Sequence, residues 1–220
     1  MKTADKIVNT ARSLFNEYGE RNVTATDIAD ALEISPGNLY YHFKGKDPIV
    51  RALWSAFERE LAGYLASSMT TTLTLFDDET PELETVWHYL TVLMQTMDRY
   101  RFIYLGLDDL RSRYPDIDRG LRRLISLKRA TCERVALDVL ALSQSDLAPP
   151  QNLADSMALT MTFWLSFDEL QHPKSDATTR CLRGVLQVLG NCAPYLGNSQ
   201  RDFYKECELI YSRMLERENS

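Results

Sequence analysis

The spacing of apolar residues constrains this chain more than any other feature of its sequence. Ile7, Ala11, Leu14, Phe15 and Tyr18 recur at intervals of three and four residues, which places them on one side of a helix. Similar intervals recur along most of the chain, whereas the sustained alternation that indicates a strand is almost absent. Nine Gly and eight Pro are also few for a β-sandwich or barrel. The sequence therefore predicts an all-α protein.

Two short helices are predicted near the N-terminus, at about 25–31 and 36–43. Thr24 is a favourable N-cap with Asp27 three residues later, and Ser35 is a second N-cap directly before Pro36. Only four residues separate the two helices, and a longer helix precedes them. This arrangement is typical of a helix-turn-helix module.

Helices are predicted along the rest of the chain as well. A long helix starts near Pro48 and ends near Ser68, and the polar segments at 70–80 and 143–150 are predicted to be loops. The other predicted helices cover about 82–98, 101–113, 116–142 (with Asp116 as its N-cap), 151–170, 175–192 and 199–217. Because the architecture changes near residue 46, we expect a helix-turn-helix domain at 1–46 and a larger helical domain at 47–220.

Several classes of protein are disfavoured by composition. No apolar run reaches the length of a membrane span, and Met1–Ile7 lacks the apolar stretch of a signal peptide, so a cytoplasmic protein is expected. The four cysteines and three histidines are scattered without metal-ligand spacing, and we expect neither a metal nor a cofactor. The sequence also shows no nucleophile–base pair, so we do not expect an enzyme.

The charge is distributed unevenly along the chain. The net charge is −6, but the first 51 residues carry seven basic and seven acidic side chains, so the excess acid lies in the remainder. Residues 35–46 contain two lysines and no acid. A local basic region of this kind can bind phosphate groups even on an acidic protein.

The second short helix has a polar face that is suited to DNA. Leu39 and Phe43 lie four residues apart and are expected to face inward. Asn38, Tyr41 and His42 are then left on the outer face. An Asn side chain can form hydrogen bonds with adenine, and a Tyr side chain can bind a phosphate or contact the methyl group of thymine.

The residues around this helix resemble the N-terminal domain of TetR-family regulators. The resemblance lies in Ile28-Ala29-Asp30-Ala31 and in the run Ile-Ser-Pro-Gly-Asn-Leu-Tyr-Tyr-His-Phe-Lys-Gly-Lys at 34–46, and it covers about residues 4–60. It implies an N-terminal three-helix DNA-binding domain and a larger helical C-terminal domain that dimerises and binds a small molecule. The dimer interface would be formed by the helices at about 151–170 and 175–192.

The resemblance also implies which residues contact DNA. Tyr40, His42 and Lys46 would bind backbone phosphates, as would Thr24 or Thr26, with Lys44 as a flanking contact, while Gly37, Asn38 and Tyr41 would approach base edges. The complete candidate set is Thr24, Thr26, Ser35, Gly37, Asn38, Tyr40, Tyr41, His42, Lys44 and Lys46. This chain has Glu33 where the family commonly has Gly, and a left-handed backbone at that position would cost a residue other than Gly about 1 kcal/mol.

Aromatic and Met side chains are dense at 87–104 and 157–167. They either form an ordinary core or line an apolar cavity between two helical segments, which is where helical bundles bind ligands. The candidate ligand-binding residues are Trp87, His88, Met94, Met97, Tyr104, Met161 and Trp164.

These observations predict a transcriptional regulator that binds double-stranded DNA. The expected form is a repressor that binds a palindromic operator as a homodimer and responds to an unknown small-molecule effector. An activator role remains open within this interpretation. The alternatives are a helical protein-interaction module that does not bind DNA and, less favoured, a helical enzyme.

Overall fold

The computed structural model describes residues 3–67, 83–143 and 151–218, which contain α-helices and short 3₁₀ turns and no strand. The all-α prediction is confirmed. No helix in these ranges is long and apolar enough to cross a membrane. The helices are α1 Thr3–Tyr18, α2 Ala25–Ala31, α3 Pro36–His42, α4 Lys46–Ala66, α5 Leu83–Arg99, α6 Arg101–Leu105, α7 Leu107–Arg113, α8 Pro115–Ser143, α9 Leu153–Gln171, α10 Ala177–Gly190 and α11 Asn198–Glu218.

Two predicted helix boundaries are wrong. The segment 101–113 is broken at Gly106, whose φ of −110° and ψ of 26° depart from helical values and separate α6 from α7. Asp116 is not an N-cap, because α8 already begins at Pro115, where the fixed φ of proline suits a first helical position. Asp116 instead forms an ion pair with Arg51 of α4.

The predicted loops at 70–80 and 143–150 fall outside the described residues, apart from Ser143, which is the last residue of α8.

The chain divides into two compact units whose boundaries differ from the predicted one near residue 46. The first unit comprises residues 1–60 and 99–122, and the second comprises residues 61–98 and 123–220. The first part of α4 and the segment 99–122 belong with the N-terminal helices because aromatic side chains join them. The Phe57 ring lies 5.4 Å from that of Tyr100, and the Phe15 ring lies 5.4 Å from that of Phe102, measured between centroids.

The N-terminal helices of the first unit share a small apolar core. Ile7 and Phe15 of α1, Ile28 of α2 and Leu39 of α3 are completely buried. Burying side chains of this size contributes about 1.5–3 kcal/mol each relative to leaving them exposed. The inward face of α3 is therefore fixed by Leu39, and its other side chains are left on the surface.

The second unit has a core that includes buried charges. Arg180 Nε lies 2.6 Å from Asp98 Oδ1, and the guanidinium of Arg183 binds both oxygens of Asp168 at 2.6 and 3.0 Å. Each guanidinium thus joins α10 to another helix of this unit, and the opposite charge of the partner carboxylate offsets part of the cost of desolvation.

The four cysteines are buried and form no disulfide. Burial raises the pKa of Cys132, Cys181 and Cys192 to about 12, so these thiols are protonated at neutral pH. They pack as small apolar side chains.

Candidate nucleic-acid interface

Helix α2 begins with the reciprocal cap that the sequence predicted. Thr24 Oγ1 accepts a hydrogen bond from the backbone N–H of Asp27 at 3.2 Å, and Asp27 Oδ2 accepts one from the backbone N–H of Thr24 at 2.7 Å. These bonds lower the pKa of the Asp27 carboxyl group. The side chains of Thr24 and Thr26 are both exposed.

The turn between α2 and α3 is closed by a Schellman motif with Glu33 in the left-handed conformation. The N–H of Ile34 donates to the carbonyl of Ala29 and the N–H of Glu33 donates to the carbonyl of Asp30, both at 3.0 Å. Glu33 has a φ of 54° and is the one residue other than Gly with a positive φ among the described residues. The replacement of Gly by Glu therefore leaves the geometry of the turn intact.

Helix α3 starts at the predicted position and presents a polar face. Ser35 Oγ accepts a hydrogen bond from the backbone N–H of Asn38 at 3.2 Å, and Pro36 occupies the first helical position. Because Leu39 is completely buried, the residues on either side of it lie at the surface. Tyr41 is 79% exposed, and its ring packs edge-to-face against His42 at 5.2 Å between centroids.

Nine of the ten candidate DNA-binding residues are exposed, and they come from α2, α3 and the residues beside these helices. The nine are Thr24, Thr26, Ser35, Gly37, Asn38, Tyr40, Tyr41, His42 and Lys44. Their arrangement places hydroxyl, amide and aromatic groups around α3. Lys44 follows directly after the helix and forms no ion pair with the described residues.

Lys46 is the exception, because its ammonium group binds Glu20 in this structure, and the expected phosphate contact stays a prediction. Its Nζ lies 3.1 Å from Glu20 Oε1 and donates to the backbone carbonyl of Glu20 at 2.9 Å. The side chain is mostly buried, and the carboxylate of Glu20 balances its charge. Lys46 therefore holds the start of α4 against the turn that follows α1.

Glu20 and its partners were not identified from the sequence. The Glu20 side chain is buried, and its second oxygen pairs with Arg113 at the end of α7. The Arg113 guanidinium also lies 5.0 Å from the ring centroid of Tyr114, whose hydroxyl donates to Asp47 Oδ1 at 2.7 Å. These contacts join the end of α7 to the turn after α1 and to the start of α4, and no local sequence signal connects residues so far apart in the chain.

The candidate ligand-binding residues are divided between the two units. Tyr104 lies in the first unit, where its ring lies 5.9 Å from that of Phe57 between centroids, and its role at a ligand site stays a prediction. The other six candidates belong to the second unit, which contains Trp87, His88, Met94, Met97, Met161 and Trp164.

Within the second unit, these six residues differ in exposure. Met94, Met97, Met161 and Trp164 are buried, whereas His88 is exposed. Trp87 is partly exposed and packs edge-to-face against Phe203, with 6.1 Å between the centroids. A Cβ added at Gly184 would lie 2.7 Å from the Trp164 ring and 3.2 Å from the sulfur of Met94. Helices α5, α9 and α10 are therefore tightly packed at this point.

Helix α9 carries an exposed apolar stripe. Leu159, Phe163, Phe167 and Leu170 are between 48% and 82% exposed, and their spacing places them along one side of the helix. A contiguous row of large apolar side chains is uncommon on the free surface of a monomeric protein. This stripe is a candidate interface.

Comparisons with known families match both parts of the chain. The family model described as bacterial regulatory proteins of the tetR family matches residues 7–53, which include α2 and α3. A second model, TetR, described as a bacterial transcriptional repressor, matches residues 65–204.

Curated relatives match the N-terminal region. The chain is 33% identical over 54 residues to the probable acrEF/envCD operon repressor of Escherichia coli, a match that covers 24% of each protein. It is 40% identical over 58 residues to the transcriptional repressor KstR2 of Rhodococcus jostii, which covers 26% of this chain and 28% of the relative. The chain thus spans about a quarter of the length of these relatives.

Solved structures extend the similarity to nearly the whole chain. A TetR-family transcriptional regulator from Marinobacter aquaeolei is 30% identical, with a TM-score of 0.77 and coverage of 96% of this chain and 99% of that one. SmeT, the repressor of a multidrug efflux pump of Stenotrophomonas maltophilia, shares the fold, with 16% identity, a TM-score of 0.53 and coverage of 86% and 90%. The SmeT–triclosan complex has a TM-score of 0.51 at 15% identity, with the same coverage of the two chains. The family models together with the Marinobacter structure establish that the chain belongs to the TetR family of bacterial transcriptional regulators.

Proposed function

We propose that this protein is a ligand-responsive transcriptional repressor that binds a palindromic operator as a homodimer. The observation that carries the proposal is the exposed face of α3, a short capped helix whose Asn38, Tyr41 and His42 have no role in the apolar core. In a helix-turn-helix protein the second helix enters the major groove, and a dimer spans two half-sites about 34–36 Å apart. Lys44, Tyr40 and Thr26 supply groups that bind the phosphates on either side of the groove.

The stripe on α9 supports the homodimer. A two-fold axis beside α9 would pair the stripe with the same stripe of a second subunit and bury all four apolar side chains. The resemblance to the TetR family implies a dimer interface formed by the helices at about 151–170 and 175–192, and the exposed residues that fit such an interface are Leu159, Phe163, Phe167 and Leu170. If the stripe bound an unrelated protein instead of a second subunit, the isolated chain would be a monomer.

We infer that the effector is apolar or aromatic and binds within the second unit, where the tightly packed side chains would have to move to admit it. Buried Met94, Met97 and Met161 provide flexible, polarizable walls that can adapt to a ligand, and Trp164 lies beside them in the same unit. The complex of SmeT with triclosan gives an example of an aromatic ligand bound by a protein of this fold. Titration with an effector should quench or shift the tryptophan fluorescence and weaken operator binding, because the two binding events are linked.

Selection of bound duplexes from a random DNA pool, followed by sequencing, tests the DNA-binding role. The account predicts enrichment of a palindrome with half-sites about one helical turn apart. The double variant Asn38→Ala/Tyr41→Ala should lose this enrichment, and the control Gln95→Ala, at an exposed position on α5, should retain it. A pool that shows no enriched sequence after several rounds would support the alternative of an interaction module that does not bind DNA.

A reporter-gene assay determines whether the regulator represses or activates transcription. When the selected operator overlaps a promoter, removal of the regulator should raise expression of the reporter gene. A fall in expression would identify an activator instead.

A further inference from the structure

The face of α3 that points away from the core carries the amide of Asn38 and the rings of Tyr41 and His42, and no Lys, Arg, Asp or Glu side chain. The helix sequence, Pro-Gly-Asn-Leu-Tyr-Tyr-His, contains none of these four residues. Asn38 and Tyr41 are both exposed and lie three positions apart, so they are neighbours on one side of the helix. The side chains of α3 can therefore form only a few kinds of contact with base edges.

The side chain of Asn38 is available for a partner. Its backbone N–H is bonded to Ser35 Oγ and to the Ser35 carbonyl, so the cap of α3 is complete without the Asn38 side chain. The carboxamide itself forms no hydrogen bond with any residue that the structure describes. At the preceding position, a Cβ on Gly37 would meet only Ser35 Oγ at 3.9 Å, so the space in front of this turn is open. A base edge could approach Asn38 without a clash from the neighbouring residue.

The four bases present different groups in the major groove. Guanine offers two acceptors and is recognised by Arg or Lys, and cytosine offers a donor to a carboxylate. Adenine offers one acceptor, N7, and one donor, N6, which a single carboxamide satisfies with two hydrogen bonds. Thymine presents a methyl group that packs against apolar or aromatic surface. Of these pairings, Asn38 and Tyr41 provide those for adenine and thymine.

We propose, on the basis of the proposed function, that α3 selects an A·T-containing core in each half-site of the operator. Asn38 recognises one adenine through N6 and N7, and the Tyr41 ring packs against the methyl group of a thymine close to it. The edge-to-face contact with His42, at 5.2 Å between ring centroids, restrains the Tyr41 ring on this face. Lys44 lies beyond the end of the helix and binds the backbone, so it does not supply the missing guanine contact.

Base analogues in the selected operator test this proposal with the unaltered protein. Each adenine is replaced in turn by 7-deazaadenine, which lacks the N7 acceptor, and each thymine by uracil, which lacks the methyl group. One 7-deazaadenine position in each half-site should weaken binding by about 5- to 150-fold, the range for loss of a bidentate base contact. One uracil position should weaken binding about fourfold, as expected for loss of one buried methyl group.

Protein variants then assign each effect to a side chain. Asn38→Ala should bind the unmodified operator more weakly and should no longer distinguish adenine from 7-deazaadenine at the sensitive position. Tyr41→Ala should likewise lose its response to uracil while keeping the response to 7-deazaadenine. Lys44→Ala is the matched control, because it should weaken binding to every version of the operator by the same factor. Circular dichroism confirms that each variant is folded.

The outcomes separate this inference from the proposed function. If selection enriches no sequence, the proposed function fails and the inference fails with it. If selection enriches a palindrome, but 7-deazaadenine has no effect at any position or the base pair that depends on Asn38 is G·C, the regulator stands and the inference is wrong.

Discussion

The backbone N–H of Phe102 donates a hydrogen bond to Asn16 Oδ1 at 3.0 Å, although the two residues lie 86 positions apart in the sequence. Asn16 Nδ2 also donates to the carbonyl of Arg99 at 3.0 Å. Tyr100 lies between Arg99 and Phe102 in the sequence. Its φ of −120° and ψ of 34° are not helical, and this conformation separates α5 from α6. One side chain of α1 thus satisfies two backbone groups at a junction where the helical hydrogen bonds are interrupted.

Asn16→Ala should destabilise the protein. It leaves the part-buried N–H of Phe102 without this partner, at a cost of up to about 1–3 kcal/mol, whereas the exposed carbonyl of Arg99 can bond to water instead. Urea unfolding measures the change in the free energy of unfolding. Ser13→Ala is the control on the same helix, because its exposed hydroxyl bonds to the carbonyl of Asn9 and to no other group in the part of the chain that the structure describes, and it should change stability by less than about 0.5 kcal/mol. Equal effects of the two substitutions would contradict the role of Asn16.

Glu33→Gly should be neutral or stabilising. The φ of 54° at Glu33 costs a residue with a Cβ about 1 kcal/mol, and Gly removes that cost. For a chain of this size, a gain of this order raises the Tm by about 2–4 °C. Differential scanning calorimetry measures the shift, and operator affinity should be retained. A marked fall in Tm would mean that the Glu33 side chain stabilises the turn by a contact that outweighs the strain.

Two glycine substitutions in the second unit should have opposite effects. Gly184→Ala places a Cβ 2.7 Å from the Trp164 ring, so overpacking should cost about 1–3 kcal/mol. Gly63→Ala on α4 meets nothing within 4 Å and should stabilise the helix by up to about 1 kcal/mol. Chemical denaturation of both variants provides the comparison. The packing around Trp164 would have to be looser than described if Gly184→Ala were as stable as the wild type.

Phe167→Arg should convert the proposed homodimer into a monomer. The substitution introduces a charge into the middle of the α9 stripe, and two copies of it would meet across the symmetry axis. Sedimentation velocity measures the oligomeric state. Leu209→Arg is the matched control, since Leu209 is an exposed apolar residue on α11, outside the stripe, and this variant should remain dimeric. A wild-type chain that sediments as a monomer, or a Phe167→Arg variant that remains a dimer, would exclude this interface.

Local features of the fold were predictable because each depends on residues close together in the sequence. The caps at Thr24 and Ser35 follow from hydroxyl groups placed directly before helices, and the structure confirms both. The left-handed turn at Glu33 was expected from the family pattern and is also present.

The features that were missed depend on residues far apart in the sequence. The pairing of Glu20 with Lys46 and Arg113 was not visible in the sequence, because charged residues on helix surfaces form the same pattern whether they are paired or solvated. The helix boundary at Tyr100 agrees with the predicted helices at 82–98 and 101–113, but nothing in the sequence indicated that Asn16, on another helix, would bond to the backbone on both sides of it.

The central claim, that this chain is a sequence-specific DNA-binding regulator, is tested most directly by a ratio of two affinities. Fluorescence anisotropy at physiological salt gives the Kd for the selected palindrome and for a scrambled duplex of the same length and composition. The account predicts that the palindrome binds at least about 10³-fold more tightly, with one dimer per duplex. Equal affinity for the two duplexes would contradict the account, because binding would then reflect phosphate attraction alone.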